Sequence, residues 1–96
     1  MTVLAFERYP VDPNRIEAFE ELVGSVLGAM RSAGGCLWAD AARAFDDEPS
    51  YVVLGEWRAE ADLNAWEAST ECAVFLESVD VHLRGDPTRR RFAAGT

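Results

Sequence analysis

Apolar and polar residues follow two different periods along this chain, and the segment 51–69, YVVLGEWRAEADLNAWEAS, contains both of them. Its first half has the period of two that is typical of a strand, with Tyr51 and Val53 on one face and Val52 and Leu54 on the other. Both faces of this strand are therefore apolar. A strand of this kind requires cover on each face, which predicts a central position in a sheet.

The second half of the segment has the spacing of a helix. Glu60 and Asp62 place negative charges in the predicted first turn, where the helix dipole favours them. Leu63 and Trp66 are three residues apart and form the apolar stripe of this short helix. The pattern predicts that Trp66 points at the sheet.

Before this segment, the pattern predicts a strand and a long helix. Residues 2–11 carry apolar side chains on both strand faces. Asp12 is suited to the N-cap of a helix and Pro13 to its first position. The apolar positions that follow recur at spacings of three, four and seven, which predicts a helix with one face on a sheet. These positions are Ile16, Phe19, Leu22, Val23, Val26, Leu27 and Met30.

Glycines mark the surface and the end of this long helix. Gly24 and Gly28 each cost a helix up to about 1 kcal/mol relative to alanine, and being four residues apart they share a face. We therefore expect the backbone of another segment to approach closely there. Gly34 and Gly35 are predicted to end the helix.

A hairpin connects the long helix to the central strand. Residues 36–45 have the pattern of a second strand. The acidic turn Asp46-Asp47-Glu48-Pro49-Ser50 is too long for a two-residue hairpin loop, but it still joins two antiparallel strands.

The C-terminal part of the chain repeats the helix-then-strand pattern. A second helical segment begins with Ser69 or Thr70 as its N-cap, and its apolar stripe continues to Leu83. Residues 88–94 are predicted to form a last short strand.

The predicted order, β-α-β-β-α-β, indicates an α+β, ferredoxin-like fold in which a four-stranded antiparallel sheet carries the helices on one face. We expect residues 1–96 to form a single domain. The opposite face of the sheet is left bare, and the two-faced apolar strands would make it a larger hydrophobic patch than monomers usually expose. The sequence therefore predicts a homodimer through this open sheet face.

Charge and cysteine content narrow the possible partners. The net charge of −8 disfavours nucleic acid and anionic membranes as partners. No run of 18 apolar residues exists, and the N-terminal segment meets charge at Glu7, too early for a secretory or membrane-spanning stretch. Cys36 and Cys72 lack metal-type spacing and are expected to be reduced thiols. These features predict a cytoplasmic protein that binds a small molecule or another protein and holds no metal.

Several segments of the chain resemble the antibiotic biosynthesis monooxygenase family. The similarity covers the N-terminal strand and long helix, the Gly35-Cys36-Leu37 start of the second strand, the Glu56-Trp57 end of the central strand, and the helix from Leu63 to Ser69. The resemblance implies a dimeric α/β barrel of ferredoxin-like protomers, with a cavity between sheet and helices in each. It also implies a range of functions: members include hydroxylases of aromatic polyketides that use oxygen without flavin or metal, haem-degrading enzymes, and proteins with no established activity.

The match to the family's functional residues is partial. In the polyketide oxygenases a cavity tryptophan is preceded by asparagine four residues earlier; Trp66 matches the tryptophan, but the earlier position is Asp62. Asn64 lies about 200° round the helix from Trp66 and cannot share its face.

The resemblance does not extend to haem ligation. The haem-degrading members have an asparagine on the first strand, near Glu7 here, and an iron-ligating histidine nine or ten residues after the tryptophan. Phe75 and Leu76 occupy the histidine positions in this chain. The single histidine, His82, lies sixteen residues after the tryptophan, so we expect no haem cofactor.

Two residues are candidates for catalysis, and each has a structural alternative. Trp66 is expected either to stack on a flat aromatic substrate or to be an ordinary core tryptophan. Glu7 shares a strand face with apolar neighbours, and desolvation there would make its carboxylate a stronger proton acceptor and a candidate base. The alternative is a salt bridge from Glu7 to Arg43 or Arg58 on neighbouring strands.

The remaining candidates are expected to bind substrate rather than to react. We expect Trp38 and Tyr51 to lie in the core or in the cavity wall, with Asp62 and Phe75 beside the substrate. His82 ends its helix, where a positive charge is favourable, so a structural role is an alternative to substrate binding.

Three consecutive arginines occur near the C-terminus, at positions 89–91. Neighbouring residues of a strand point to opposite faces, so these side chains are expected to alternate sides rather than form one anion site.

Two functions fit these features. The first is a cofactor-independent monooxygenase-like tailoring enzyme that oxidises a polycyclic aromatic or polyketide-like phenol with O2, with Glu7 as base and Trp66 as clamp. The second is a non-catalytic ligand-binding or cyclase-assisting module of the same fold, which gains weight from Asp62 in place of asparagine.

Overall fold

The structure is a computed structural model that describes residues 1–45 and 48–95. It contains four strands and three α-helices in the order predicted, with the second helical region divided into two. The elements are β1 (Thr2–Pro10), α1 (Ile16–Ser32), β2 (Cys36–Arg43), β3 (Ser50–Trp57), α2 (Glu60–Glu67), α3 (Thr70–Val79) and β4 (Thr88–Ala94). The predicted acidic turn contains Asp46 and Asp47, which lie outside the described residues.

The four strands form one antiparallel sheet in the order β2-β3-β1-β4. Tyr9 lies opposite Tyr51, so β1 and β3 pair along their whole length at the centre of the sheet. On the other side of β1, Glu7 lies opposite Arg89 of β4. This topology confirms the α+β, ferredoxin-like βαββαβ fold.

The helices cover one face of the sheet, and burial alternates along the strands accordingly. In β3, Tyr51, Val53 and Trp57 are buried under the helices. Val52 and Leu54 point to the opposite face and are only half-buried. The helix-facing strand residues pack with the apolar stripes of α1, α2 and α3 to form the core.

The opposite face, here called the open sheet face, remains apolar. Leu4 and Phe6 of β1 lie beside Glu56 and Leu54 of β3 on this side. Two large apolar side chains at the sheet edges extend the same surface: Trp38 on β2 is 43% exposed and Phe92 on β4 is 40% exposed.

Element ends differ slightly from the predicted ones. Asp12 caps a 3-10 turn at Pro13–Arg15, accepting a hydrogen bond from the backbone N–H of Asn14 at 2.9 Å, and α1 begins after this turn. Ser69 caps α3 by accepting from the backbone N–H of Cys72 at 3.2 Å. That helix ends at Val79 and continues as a 3-10 turn rather than as an α-helix to Leu83.

The prediction for Gly24 and Gly28 is wrong within the protomer. Neither glycine has any atom of the described residues, outside its own helix backbone, within 4 Å of the place where a Cβ would stand. The close approach occurs at Gly35, which has a φ of +83°. A Cβ at Gly35 would stand 2.3 Å from Cγ of Asp62, so only glycine fits between α1 and α2.

None of the helices in the described ranges is long and apolar enough to cross a bilayer.

Candidate functional site

A polar cluster between the sheet and the helices is centred on Glu7. Glu7 lies on the helix-facing side of β1, and its side chain is 17% exposed. It borders a small space between sheet and helices, called here the inner cavity, whose volume of about 10 Å³ is room for about one water molecule. Its wall includes Glu7, Tyr9, Met30, Trp66, Cys72 and Phe75.

Tyr9 and Arg89 are the polar partners of Glu7. The Tyr9 hydroxyl donates a hydrogen bond to Oε2 of Glu7. Nε of Arg89 lies 3.7 Å from the same oxygen. The predicted partners, Arg43 or Arg58, are therefore wrong: Glu7 lies directly opposite Arg89 across the β1–β4 ladder, whereas its neighbour on β3 is Val53.

Burial and the nearby carboxylate control the protonation of the other cavity groups. Burial, followed by the charge and hydrogen bond of Glu7, raises the pKa of Tyr9 far above its ordinary value. Burial also raises the pKa of the Cys72 thiol, with the charge of Glu7 adding to the effect. Both groups therefore stay protonated at neutral pH, and Tyr9 serves as a neutral donor to Glu7.

Trp66 closes the inner cavity from the helix side. It is 6% exposed, and its ring stacks on that of Trp57 with centroids 6.2 Å apart and planes inclined by 23°. Trp66 also borders an open groove of about 330 Å³ on the outside, between α1 and the α2–α3 region. We call this second space the outer groove; Trp66 lines both this groove and the inner cavity.

Asp62 borders the outer groove rather than the inner cavity. Its Oδ1 lies 3.0 Å from Nη2 of Arg58, four residues earlier, in a salt bridge near the start of α2. Asn64 points away from both spaces, because its Oδ1 accepts a hydrogen bond from Nη1 of Arg91 at 2.9 Å. The prediction that Asn64 does not share a face with Trp66 is confirmed.

The aromatic candidates Phe75 and Tyr51 lie in two neighbouring regions. Phe75 lines the inner cavity and meets the Tyr9 ring edge-on, with centroids 5.8 Å apart. Tyr51 lies in the adjoining core against Phe19, and its hydroxyl donates to the carboxylate of Glu20.

Trp38 and His82 lie outside this cluster. Trp38 lies on the open sheet face, where its indole N–H donates to Oε1 of Glu56 at 2.7 Å. His82 lies in the 3-10 turn Asp80–His82 at the Val11 end of β1, where its carbonyl accepts from the N–H of Asp12 at 2.8 Å. The structure therefore brings Glu7, Trp66 and Phe75 together and places the other four candidates elsewhere.

Sequence analysis missed three members of this cluster: Tyr9, Met30 and Cys72. The sequence pattern could have identified Tyr9, because residues two apart on a strand share a face and Glu7 is already a candidate. Met30 belongs to the apolar stripe of the long helix and Cys72 to that of the second helical segment, and no periodic pattern distinguishes a cavity wall from a filled core.

A second opening reaches Glu7 from the edge of the sheet. This edge pocket has a volume of about 180 Å³, and its polar lining includes Glu7, Glu67, Arg89 and Arg91. Nη2 of Arg91 donates to Oε1 of Glu67 at 2.8 Å and thereby ties β4 to α2. Glu7 thus borders both the inner cavity and a route to solvent.

As predicted for strand residues, the three arginines alternate sides. Arg89 and Arg91 point to the helix side, while the guanidinium of Arg90 lies 5.1 Å from the ring centroid of Phe92 on the open sheet face. Across the described ranges, no group of three or more His, Cys, Asp or Glu side chains is placed to hold a metal ion.

The family model for antibiotic biosynthesis monooxygenases matches residues 2–78. The chain belongs to the antibiotic biosynthesis monooxygenase family. A comparison with curated protein sequences gave no match.

Solved structures of low sequence identity share the fold of this family member. Rv0793 from Mycobacterium tuberculosis is 18% identical, with a TM-score of 0.90 over 100% of this chain and 97% of that chain. A conserved protein from Methanosarcina mazei Go1 is 15% identical, with a TM-score of 0.90 over 96% of this chain and 91% of that chain. An asparagine-to-alanine mutant of SnoaB, a cofactor-independent oxygenase from Streptomyces nogalater, is 17% identical, with a TM-score of 0.85 over 99% of this chain and 94% of that chain.

Proposed function

We propose that this protein is a small cofactor-independent monooxygenase-like tailoring enzyme that oxidises a polycyclic aromatic or polyketide-like phenol with O2. The observation that carries the proposal is the Glu7 carboxylate, which contacts the Tyr9 hydroxyl and Arg89 and lines the inner cavity together with Trp66. Family membership and the fold shared with SnoaB agree with it.

The chemistry of such a reaction lies largely in the substrate. Glu7 takes a proton from the phenol or from an activated ring CH2, which leaves an electron-rich anion. The anion passes one electron to O2, and the substrate radical and superoxide then combine to a peroxide anion. This anion takes back the proton held by Glu7 and becomes a hydroperoxide. Loss of water leaves a carbonyl, so that CH2 and O2 become C=O and H2O. The protein binds the substrate, accepts the proton and excludes water from the radical pair.

A ligand requires more space than the inner cavity offers. About 10 Å³ is far below the roughly 300 Å³ at the lower end of small-molecule sites. The outer groove, at about 330 Å³, is large enough, and Trp66 lines both spaces. We therefore propose that α2 moves so that Trp66 swings aside and then stacks on the substrate ring.

The proposal includes a cytoplasmic homodimer joined through the open sheet face. Trp38 and Phe92 extend an apolar surface there, which a second copy of the chain would cover. The free thiols Cys36 and Cys72 suit a reducing compartment. The net charge of −8 fits a small aromatic substrate rather than nucleic acid or membrane.

A non-catalytic ligand-binding or cyclase-assisting module is the second candidate. It is favoured by Asp62, which stands where the oxygenases have asparagine and is engaged in a salt bridge with Arg58. Such a protein would use the same spaces to hold a hydrophobic ligand without consuming oxygen.

Oxygen uptake by metal-free protein with a panel of anthrone-like phenols separates the two candidates. We expect uptake above the buffer rate, a loss of about 100-fold or more in Glu7→Gln, and retention in the exposed control variant Glu21→Gln, a residue that lines none of these spaces. Ligand binding without uptake would favour the binding module. Uptake that is unchanged in Glu7→Gln would exclude Glu7 as the base.

A further inference from the structure

Trp57 carries a buried hydrogen-bond donor that nothing described in the structure satisfies. The side chain is fully buried, at 0% exposure, yet among the residues that the structure describes Nε1 has no hydrogen-bond partner. Burying such a donor without a partner destabilises the fold, and most buried polar groups avoid this by forming a hydrogen bond. An unpaired donor next to a cavity wall is therefore a candidate ligand contact.

The donor and Met30, which forms part of that wall, approach the same point above Gly55. Nε1 of Trp57 is 3.2 Å from the point where a Cβ on Gly55 would stand, and the Met30 methyl carbon is 3.3 Å from the same point. Gly55 has no side chain, which is why the indole can lie back across β3 under α1. Met30 also lines the inner cavity, and the Trp57 ring stacks on Trp66, which lines it too.

Met30 is an adaptable part of the cavity wall. A methionine side chain is unbranched with rotatable bonds throughout, so it can change rotamer at low cost. Rotation of this side chain would enlarge the space next to Glu7 and would uncover the Trp57 N–H in the same movement. The cavity and the unpaired donor thus both favour the same change, in which rotation of Met30 extends the inner cavity towards Trp57.

We propose that the Trp57 indole N–H holds a carbonyl or phenolate oxygen of the aromatic ligand once Met30 has rotated away. This inference rests on the proposed function and adds a specificity determinant: the ligand must carry an acceptor oxygen away from the position that Glu7 deprotonates. Glu7 lies opposite Val53 in the sheet, and Gly55, beneath the donor, is two residues or about 7 Å further along β3. That separation suits two positions of a fused-ring ligand.

The electrostatic benefit would grow during the reaction. As the substrate loses its proton, negative charge spreads to its oxygen, and hydrogen bonds to charged acceptors are about twice as strong as neutral ones. A donor fixed by burial requires no reorganisation to stabilise that charge.

Indole N–H resonances of ¹⁵N-tryptophan-labelled protein test this role directly. Trp38→Phe and Trp66→Phe assign two of the three indole signals, so the third belongs to Trp57. The protein is titrated under argon with anthrone and with 9,10-dihydroanthracene, two neutral ligands that differ by one carbonyl. We expect the Trp57 resonance to move downfield with anthrone only. We also expect Trp57→Phe to weaken anthrone binding about tenfold and dihydroanthracene binding less than about twofold.

Each outcome has a defined meaning. Anthrone binding that leaves the Trp57 resonance in place would overturn the donor role, while the proposed oxygenase could still consume oxygen. Equal weakening of both ligands by Trp57→Phe would also overturn it, because a packing defect has that effect. Binding of neither ligand would overturn the donor role together with the proposed ligand class. The resonance experiment uses the unmodified chain, so it holds even if Trp57→Phe fails to fold.

Discussion

The Tyr9 hydroxyl donates to the Glu7 carboxylate two residues away on the same face of β1, which joins the two polar groups of the inner cavity into one unit. Because Arg89 lies 3.7 Å from the same carboxylate oxygen, Glu7 has a hydroxyl on its inner side and a cation on the side of the edge pocket. A proton accepted by Glu7 from a ligand therefore has a route to solvent that avoids the rest of the core.

Alkaline pH should destabilise the fold partly through Tyr9. Burial and Glu7 raise the pKa of Tyr9 above its ordinary value of 10.0, so the folded chain holds this proton more tightly than the unfolded chain. The stabilisation is fully present below about pH 10 and is lost as the pH rises above that value, by at most about 1.4 kcal/mol per pH unit for one group. Urea unfolding between pH 8 and 11 measures the effect.

The control for this prediction is Tyr9→Phe, which removes one titrating group. Burial also raises the pKa values of Tyr51, Cys36 and Cys72, so the variant should lose stability less steeply above pH 10 but should not become independent of pH. An unchanged slope would contradict the assignment to Tyr9.

Two glycine substitutions should change stability in opposite directions. Gly28→Ala places a methyl group in open space on α1 and removes a poor helix former, so we expect stabilisation by about 0.5–1 kcal/mol. Gly35→Ala forces a side chain into a positive-φ conformation and against Asp62, so we expect destabilisation by about 1–3 kcal/mol or more. Denaturant unfolding of both variants tests the pair; stabilisation by Gly35→Ala would contradict the packing of α2 on the end of α1.

Periodicity predicted the fold because it reports which face each residue occupies. The two-faced apolar pattern of β3 placed it inside the sheet, and the structure confirms that position between β2 and β1. Periodicity does not report which strand lies beside which, so the ion pair of Glu7 was predicted with Arg43 or Arg58 rather than with Arg89. Periodicity also does not predict the volume of the cavity beneath Trp66, because that volume depends on side-chain packing.

Arg91 should hold α2, and with it Trp66, against the sheet. Its guanidinium donates to Asn64 and Glu67 and lies 3.5 Å from Glu60, so one side chain of β4 contacts three residues of α2. We expect Arg91→Gln to speed amide hydrogen exchange in α2 several-fold while lowering global stability by only about 1 kcal/mol, since the side chain is partly exposed.

Arg90→Gln is the matched control for this change. Arg90 is the neighbouring residue on the same strand, but it points to the open sheet face over Phe92. Its substitution should leave exchange in α2 unchanged. Equal effects of the two variants on exchange in α2 would mean that α2 is held by its apolar contacts alone. The movement of Trp66 would then not depend on β4.

The open sheet face should join two copies of the chain, and Leu54→Asp should separate them. Leu54 lies beside Phe6 at the centre of that face, between the exposed rings of Trp38 and Phe92 at its edges. An interface of about 800 Å² per partner, at about 25 cal/mol per Å² of apolar area, gives a gross gain that exceeds typical association costs. Sedimentation equilibrium at low micromolar concentration should therefore give twice the chain mass, with a melting temperature that rises with concentration.

An aspartate would place an unpaired charge in the interface, so Leu54→Asp should sediment as a monomer and melt at a lower temperature. Val74→Asp, on the 56% exposed side chain of α3, should remain a dimer. A well-folded wild-type monomer with a concentration-independent melt would exclude this interface and leave the apolar open face without a partner.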